Sequence, residues 1–376
     1  MINRDRLTRQ FMELVRIPSP SKREGRVAHV LKKMLKELGF DVFIDNAGEK
    51  TGCDVGNIIA RLKGGSSAPS IILSAHMDTV SPCENIKPIT KDDTIYSDGT
   101  TVLGSDDKAG IAIILEAIRH VKEEKILHCD IELLFTIHEE GGLLGSRNLD
   151  YSKVKSELGF VFDSSGKPGT IINRAPAKDN IEASIKGKMA HAGIAPETGI
   201  SAIQVAARAI NRMRLLRIDP ETTANIGFIT GGGPTNVVCS EVRVLAEARS
   251  LSEERLKMQT SHMVECIENA CEEFRSTADI KVERAYSAYN VTDSEKVLLV
   301  AKRAAKKIGL KVEIRPSGGG NDANNYNIKG IKAINLGIGI TKAHTAEEHI
   351  KINCLVDSAR YASAIIEEAS LLISQK

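Results

Sequence analysis

The sequence predicts an α/β protein in which a mostly parallel sheet forms one domain and a ferredoxin-like α+β domain is inserted into it. Three observations support this fold class. The chain has 376 residues, more than the ~250–300 at which a single core usually stops growing. Near both ends, apolar strand patterns alternate with helical patterns, as in a parallel sheet covered by helices. Between these parts the order becomes β-α-β-β-α-β, the ferredoxin-like plan.

The first part of the chain supplies the alternating elements. Apolar residues recur at helical spacing over residues 5–16 and 24–38, and Gly39 is a typical signal for the end of the second helix. Short apolar runs predict strands, and another periodic stretch predicts a third helix. The strands cover residues 41–44, 57–62, 71–73, 131–137 and 159–162, and the helix covers residues 108–121.

The pattern changes near Pro176 and returns to alternating α/β elements at Ser294. Between these points, strands are predicted at 181–186, 224–230, 237–248 and 279–285, and helices at 200–213 and 253–274. After Ser294 we expect a helix to 308, strands at 312–315 and 333–336, and a last helix from about 355. We therefore assign residues 1–177 and 287–376 to one domain, and residues 178–286 to the insertion.

Composition excludes several classes of protein. Lys and Arg number 51 against 49 Asp and Glu; without a basic stripe or aromatic platform, this predicts no nucleic-acid partner. The polar N-terminus lacks the apolar core of a signal peptide, and no apolar run is long enough to span a membrane. Seven scattered cysteines without C-x-x-C, including Cys266 and Cys271 in a helical pattern, favour buried thiols. We expect a cytoplasmic protein.

The first candidate site motif is His76-Met77-Asp78, directly after the apolar run 71–75. Alternate residues of an extended segment point the same way. His76 and Asp78 can therefore face one site, with the carboxylate orienting the imidazole. The structural alternative is a strand-end turn with a hydrogen-bonded histidine.

The second motif is the pair Asp106-Asp107, where a predicted helix begins. Asp is a favoured N-cap, which gives a purely structural alternative. One cap needs only one carboxylate, so the second is available for another role.

The third motif is Glu139-Glu140, which follows the apolar strand 131–137 and precedes two glycines. One carboxylate could bind a metal ion while its neighbour moves protons. A solvated turn is the alternative, and His138 is assigned a packing or hydrogen-bonding role.

Two single residues complete the set. Asp163 follows the strand 159–162, and His344 lies in Ala343-His344-Thr345. Each alone would be interpreted as structural. His349 is interpreted as structural too, with Glu347-Glu348 as the acidic start of the last helix.

Together these signals predict a metal centre. Ligands bind open α/β sheets at the carboxyl ends of the strands, where these residues fall. Nitrogen and oxygen donors without thiolate suit a pair of zinc, manganese or cobalt ions. The candidate ligands are His76, Asp106, Glu140, Asp163 and His344. Glu139, not among them, could take a proton from an activated water.

The order His-x-Asp, Gly-x-Asp-Asp-Lys-x-Gly, Glu-Glu-Gly, strand-end Asp and late His resembles the M20 metallopeptidases, and in particular their peptidase T-like (tripeptidase-like) group. The resemblance covers nearly the whole chain. It implies two ions, most commonly zinc, held by the motif residues. By this resemblance His76 and Asp163 complete one metal site, Glu140 and His344 complete the other, and Asp106 bridges the two ions. The resemblance also implies that Asp78 orients His76 and that Glu139 is the general base.

The resemblance also assigns a role to the insertion, which in this family is a lid and homodimer interface. Its substrate-contacting residues match His191, Asn236 and Arg249, and the family's substrate-backbone loop matches Gly319, Gly320 and Asn321. One position departs from the pattern: true tripeptidases carry an Arg where this chain has Gly318. The resemblance therefore does not extend to strict tripeptide specificity.

The predicted function is hydrolysis of short peptides by a two-metal centre. One alternative is an amidohydrolase that removes the acyl group of N-acyl or N-carbamoyl amino acids with the same centre. A non-catalytic peptide-binding protein on a retired peptidase fold is a remote alternative, because such a protein is expected to lose a ligand or the base.

Overall fold

A computed structural model describes residues 1–372, and the chain divides into two compact units. Unit 1 comprises Met1–Arg174, Tyr289–Ser317 and, among the described residues, 321–372. Unit 2 comprises Ala175–Ala288 together with Gly318–Gly320. The predicted insertion, residues 178–286, lies within unit 2.

The described residues form ten α-helices and seventeen strands. The helices are α1 Arg4–Val15, α2 Gly25–Glu37, α3 Ala47–Thr51, α4 Ser105–Glu123, α5 Leu144–Arg147, α6 Ala202–Arg212, α7 Glu253–Glu273, α8 Lys296–Lys307, α9 Asp322–Ile328 and α10 Ile352–Ser370. The strands are β1 Asp41–Ile44, β2 Ile58–Leu62, β3 Ile71–His76, β4 Ile89–Lys91, β5 Thr94–Tyr96, β6 Ile131–Thr136, β7 Leu158–Ser164, β8 Thr170–Ala175, β9 Ala177–Lys186, β10 Leu216–Asp219, β11 Thr222–Gly231, β12 Glu241–Ser250, β13 Thr277–Tyr286, β14 Tyr289–Asn290, β15 Glu313–Pro316, β16 Lys332–Gly337 and β17 His349–Lys351.

The large sheet of unit 1 has the order β1-β2-β6-β3-β7-β16-β8-β14, with β15 beside β8. Its centre is parallel, because β3 pairs in parallel with both β6 and β7, and β16 with β7. All six residues of β3 and of β6 are buried, as expected for strands covered on both faces. The predicted α/β fold with a mainly parallel sheet is confirmed.

The sheet has a topological switch point at β3. The chain leaves β3, forms α4 and returns as β6 on one side of β3, and later places β7 on the other side. Ligands bind open α/β sheets at such points, outside the carboxyl ends of the strands. His76 is the last residue of β3.

Unit 1 also contains a small antiparallel sheet, β17-β5-β4, that the periodicity did not predict. His349 of β17 pairs with Tyr96 of β5, and their rings stack with centroids 5.0 Å apart. These strands are three residues long, too short to show a clear alternation.

Unit 2 contains one antiparallel sheet in the order β10-β11-β12-β9-β13. Without the short β10, its elements follow one another as β9-α6-β11-β12-α7-β13, and the spatial order is that of a ferredoxin-like fold. Its core includes Ala183 and Ile185 of β9, Val205 of α6 and Ile267 of α7. Alternate residues of β9 are buried, as expected for a sheet with helices on one face.

One prediction about the C-terminal region is wrong. Glu347 and Glu348 are not the acidic start of the last helix, because α10 begins at Ile352. Glu348 is buried, with 1% exposure. Its neighbour Glu347 is exposed and pairs with Lys342.

Candidate metal centre

The predicted ligands come together at the carboxyl edge of the parallel strands of unit 1. His76 ends β3, Asp163 lies near the end of β7, and Glu139 and Glu140 follow β6 by three and four residues. The other two candidate ligands, Asp106 and His344, come from the start of α4 and from the segment before β17. Residues separated by up to 268 positions in the sequence thus form one cluster.

Asp106 occupies the middle of this cluster. Its Oδ1 lies 3.1 Å from His76 Nε2, and its Oδ2 lies 3.2 Å from His344 Nε2. Asp163 Oδ1 lies 3.8 Å from His76 Nε2, and Glu140 Oε1 lies 2.8 Å from His344 Nε2. Each histidine therefore has a carboxylate of its own, and Asp106 has one oxygen toward each.

The neighbouring carboxylate, Asp107, has a different environment. Its Oδ1 accepts a hydrogen bond from Gly110 N (3.1 Å), so it caps the regular part of α4, which begins after the non-helical Asp106 and Asp107. Its Oδ2 accepts a hydrogen bond from His76 N (3.2 Å). Asp107 could also approach His76 and Asp163 as a ligand, but both its oxygens already bind backbone N–H groups.

The surroundings of these carboxyls shift their pKa values away from the ordinary ones. Burial raises the pKa of Asp163 well above its ordinary value, and the charges of Asp106 and Asp107 raise it further. Burial also raises the pKa of Glu139 well above its ordinary value, although His76 opposes this. Burial would raise the pKa of Asp106 too, but hydrogen bonds from His344 and His76 outweigh it and lower that pKa.

This donor set fits divalent cations. His76, Asp106 and Glu140 can each bring one ligand atom within 4.8 Å of the others. Packing several carboxylates together in a buried place is unfavourable unless positive charge balances them. Imidazole nitrogen and carboxylate oxygen are donors that zinc, manganese and cobalt accept.

Asp78 holds the turn that carries Glu139 and Glu140. Its Oδ1 accepts a hydrogen bond from Glu139 N (2.9 Å), and its Oδ2 accepts one from Glu140 N (3.2 Å) and one from Ser21 Oγ (2.6 Å). His76 Nδ1 lies 2.9 Å from the backbone oxygen of Asp78 and 3.4 Å from its Oδ1. Residue 78 thus contacts the His76 ring through its backbone and the acidic turn through its carboxylate.

Two side chains that the sequence motifs did not assign to the site hold ligand-bearing backbone. Asn335 of β16 accepts a hydrogen bond from Asp163 N (3.0 Å) and donates one to Asp163 O (3.1 Å). Glu348 accepts hydrogen bonds around Asp106. Neither residue belongs to a local motif that would have identified it.

The predicted substrate contacts do not all lie in the same unit. His191, Asn236, Arg249, Gly319 and Gly320 belong to unit 2, whereas Asn321 belongs to unit 1. Asn321 is buried, and its side chain caps α9 by accepting a hydrogen bond from Ala323 N (3.0 Å). His191 is exposed, and its Nδ1 accepts hydrogen bonds from Gly193 N and Ile194 N, both at 3.2 Å.

Arg249 is part of a charged group in unit 2. Its Nε and one terminal nitrogen donate to the two oxygens of Glu247, at 2.7 and 3.1 Å. Lys178 Nζ also lies 2.7 Å from Glu247. Two cations therefore share one carboxylate, which leaves the group with a net positive charge.

Comparison with known proteins identifies relatives over nearly the full length. The family model for peptidase family M20/M25/M40 matches residues 72–368. The crystal structure of aminopeptidase PepT from Bacillus cereus matches with a TM-score of 0.90 and 45% identity, over 98% of this chain and 99% of that one. A tripeptidase structure from Staphylococcus aureus matches with a TM-score of 0.95 and 40% identity, over 98% and 99% of the two chains. The uncharacterized protein YqjE of Bacillus subtilis is 45% identical over 98% of this chain and 100% of its own length.

Proposed function

Because this chain belongs to peptidase family M20/M25/M40, as a peptide-hydrolysing metallopeptidase of the peptidase T-like group, we propose that it cuts short peptides at a two-metal centre. The resemblance inferred from the sequence motifs is thereby confirmed at the level of the family. We also propose the metal ligands, the general base and the substrate contacts of this centre.

The ligand arrangement is supported above all by Asp106, whose two oxygens face two different histidines. We assign His76 and Asp163 to one ion, Glu140 and His344 to the other, and Asp106 to both. Two divalent ions held there would lower the pKa of a water molecule and polarise the scissile carbonyl. Zinc is our first choice among ions with this ligand preference, with manganese and cobalt as alternatives.

Glu139 is our candidate for the general base. Its backbone is held by Asp78, its side chain is buried, and its carboxyl has a raised pKa. A carboxylate with a raised pKa accepts a proton more readily than an ordinary glutamate. Glu139 would take the proton of the attacking water and then deliver it to the leaving amine.

Unit 2 would bind the substrate. Because His191 Nδ1 accepts two backbone hydrogen bonds, the neutral ring carries its proton on Nε2, which suits donation to an oxyanion. Arg249 and Lys178, with a net positive charge beside Glu247, suit the carboxylate of a peptide. We give Asn236 and the loop of Gly319, Gly320 and Asn321 the role of contacting the substrate backbone.

Unit 2 would also form a homodimer. Within the described chain, β10 pairs with β11 only as far as Ala224, so the outer edge of residues 225–231 has no strand beside it. Next to this edge, a groove of about 660 Å³ is lined by Ile203 and Ile210 of α6 and by Ile229 of β11. An open sheet edge beside an apolar groove is a typical surface for pairing with a second copy.

The cellular location that we propose is the cytoplasm. All seven cysteines are free thiols, which suits a reducing compartment. Separately, the helices formed by residues 1–372 include none with the length and apolar character that a bilayer span requires.

The experiment that tests this function is a hydrolysis assay on metal-stripped protein, before and after addition of zinc, manganese or cobalt. The panel contains dipeptides, tripeptides and N-acetyl and N-carbamoyl amino acids. We expect cleavage of peptides that depends on added metal. Cleavage of the N-acyl compounds instead would identify a deacylase. No cleavage by protein that binds two ions would contradict the proposal.

A further inference from the structure

Glu348 is a buried carboxylate whose four hydrogen bonds all go to the segment that leads into Asp106. Its Oε2 accepts from Leu103 N (2.9 Å) and Gly104 N (3.0 Å). Its Oε1 accepts from Ser105 Oγ (2.5 Å) and Asp106 N (3.0 Å). Every donor in this set is a backbone N–H group or a hydroxyl, and Glu348 is 1% exposed.

Glu348 lies four residues after His344 in the chain. The same short segment therefore supplies one candidate ligand, His344, and holds the backbone of the candidate bridging ligand, Asp106. Gly104 has φ +71°, a left-handed conformation that suits glycine, and Asp106 has non-helical dihedrals. A segment with such an irregular backbone needs hydrogen bonds from outside itself to keep one conformation.

We propose that Glu348 is a positioning residue that fixes Asp106 between His76 and His344 and thereby sets the affinity of the protein for its metal ions. This inference rests on the proposed two-metal centre and deepens it. Glu348 acts through Asp106 and is not assigned a contact with substrate or metal. Outer partners of metal ligands typically contribute 10–100-fold in metal affinity.

The chemistry of the four bonds explains why a carboxylate is required. A carboxylate can accept at both oxygens, whereas an amide has one accepting oxygen and one donating NH₂ group. After Glu348→Gln, the NH₂ group must face one pair of donors. Ser105 can turn its hydroxyl to accept, but the N–H groups of Leu103 and Gly104 cannot. The NH₂ group should therefore face Ser105 and Asp106, which breaks the bond to Asp106 N.

Two matched controls separate this effect from burial and from charge. Glu132 is another buried carboxylate that accepts from backbone N–H groups, Lys155 N and Ser156 N, both at 2.9 Å, and it also accepts from Arg61 Nε at 2.7 Å. It lies near the opposite, amino-terminal end of β6. Glu347 is exposed and adjacent to Glu348 in sequence. Glu132→Gln therefore reports the general cost of this change inside the protein, and Glu347→Gln reports the loss of one charge.

The test measures zinc binding to metal-stripped wild-type and variant proteins by competition with a chromophoric chelator, together with the unfolding temperature of each metal-stripped protein. We expect Glu348→Gln to bind zinc about 10–100-fold more weakly than wild type. Glu347→Gln should keep wild-type affinity, and Glu132→Gln should lower the unfolding temperature but keep the affinity.

Wild-type affinity in Glu348→Gln, or an equal loss in Glu132→Gln, would overturn the inference. If Glu348→Gln does not fold, Ser105→Ala replaces it as the test: it removes one bond to Glu348, and it should bind zinc several-fold more weakly, so unchanged affinity would overturn the inference. Wild-type protein that binds fewer than two ions would instead overturn the two-metal centre itself, which distinguishes the two failures.

Discussion

Adjacent acidic residues of this protein have different surroundings, and their chemistry differs accordingly. Asp107 accepts two backbone hydrogen bonds, whereas both oxygens of Asp106 face imidazole nitrogens. In the second pair, burial raises the pKa of both carboxyls, but Glu140 lies beside His344 and Glu139 is not paired with that histidine. Single substitutions at neighbouring positions should therefore separate metal binding from turnover.

Glu139→Gln should lower kcat by about 10²–10⁴-fold while the metal content stays at the wild-type value. The amide keeps the size of the side chain but cannot accept the proton of the attacking water. The matched variant Glu140→Gln should instead weaken metal binding, because it changes the carboxylate beside His344. Metal analysis and steady-state kinetics on both variants check this. Near-wild-type turnover in Glu139→Gln would mean that another group is the base.

Glu24 makes a pH-dependent contribution to stability. Its Oε1 accepts hydrogen bonds from Lys22 N and His138 N, both at 3.0 Å. Burial, and then the charge of Asp78, raise the pKa of Glu24 from 4.5 to about 7. Between these values the folded state holds a proton that the unfolded state has released. The free energy of unfolding therefore falls as the pH rises from about 4.5 to about 7.

Glu24→Gln should remove this dependence, because the amide is neutral at every pH and keeps the accepting oxygen. Relative to wild type, the variant should gain stability as the pH rises from about 4.5 to about 7, by up to about 3 kcal/mol, and it should keep this gain at higher pH. Urea unfolding of the metal-stripped proteins at several pH values measures the difference. A difference that stays constant with pH would show that Glu24 has an ordinary pKa.

At the scale of elements, the turn after β6 determines where Glu139 and Glu140 lie. The ring of His138 fills the space beside Gly141, and a Cβ atom at Gly141 would lie 1.8 Å from His138 Nε2. The backbone of this turn is held by Glu24, through His138 N, and by Asp78. A side chain at position 141 would therefore have to displace the His138 ring or the turn.

Gly141→Ala should lower kcat/KM by about tenfold or more, because the new methyl group must displace either the His138 ring or the turn itself. His138→Ala in the same chain makes room for that methyl group. The double variant should thus be more active than Gly141→Ala alone, as kinetics of the four proteins in a double-mutant cycle will measure. Strictly additive losses would show that the ring and the glycine do not interact.

At the scale of the whole molecule, the two edges of the unit 2 sheet differ. The outer edge of β11 adjoins the apolar groove with α6, and Ile229 on this strand is 52% exposed. The opposite edge is β13, where Val282 is 45% exposed. Two similar apolar residues on opposite edges provide a matched pair for testing which surface joins the protomers.

Ile229→Lys should convert the proposed homodimer into a monomer, since a lysine on an edge strand opposes strand pairing and leaves a buried charge in the interface. Val282→Lys should leave the dimer intact. Light scattering after size-exclusion chromatography gives the mass of each protein. A wild-type monomer, or a dimer that survives Ile229→Lys and dissociates with Val282→Lys, would contradict the proposed surface.

The sequence by itself was sufficient for the α/β fold and the ferredoxin-like insertion, because helix and strand periodicity is a local property of the chain. It also indicated where the acidic motifs lie: polar residues directly after parallel strands meet at one edge of the sheet, and His76, Glu140 and Asp163 do lie together there. The strands of the β17-β5-β4 sheet were missed because each has only three residues.

The tertiary structure alone decided what the neighbouring carboxylate Asp107 does and which residues hold the ligands in place. Asp107 became the helix cap, whereas Asp106, already the candidate ligand from the sequence motif, lies between His76 and His344. Glu348 and Asn335 bind backbone 242 and 172 positions away. Such contacts have no sequence period, because they depend on how distant elements pack and not on the local geometry of the chain.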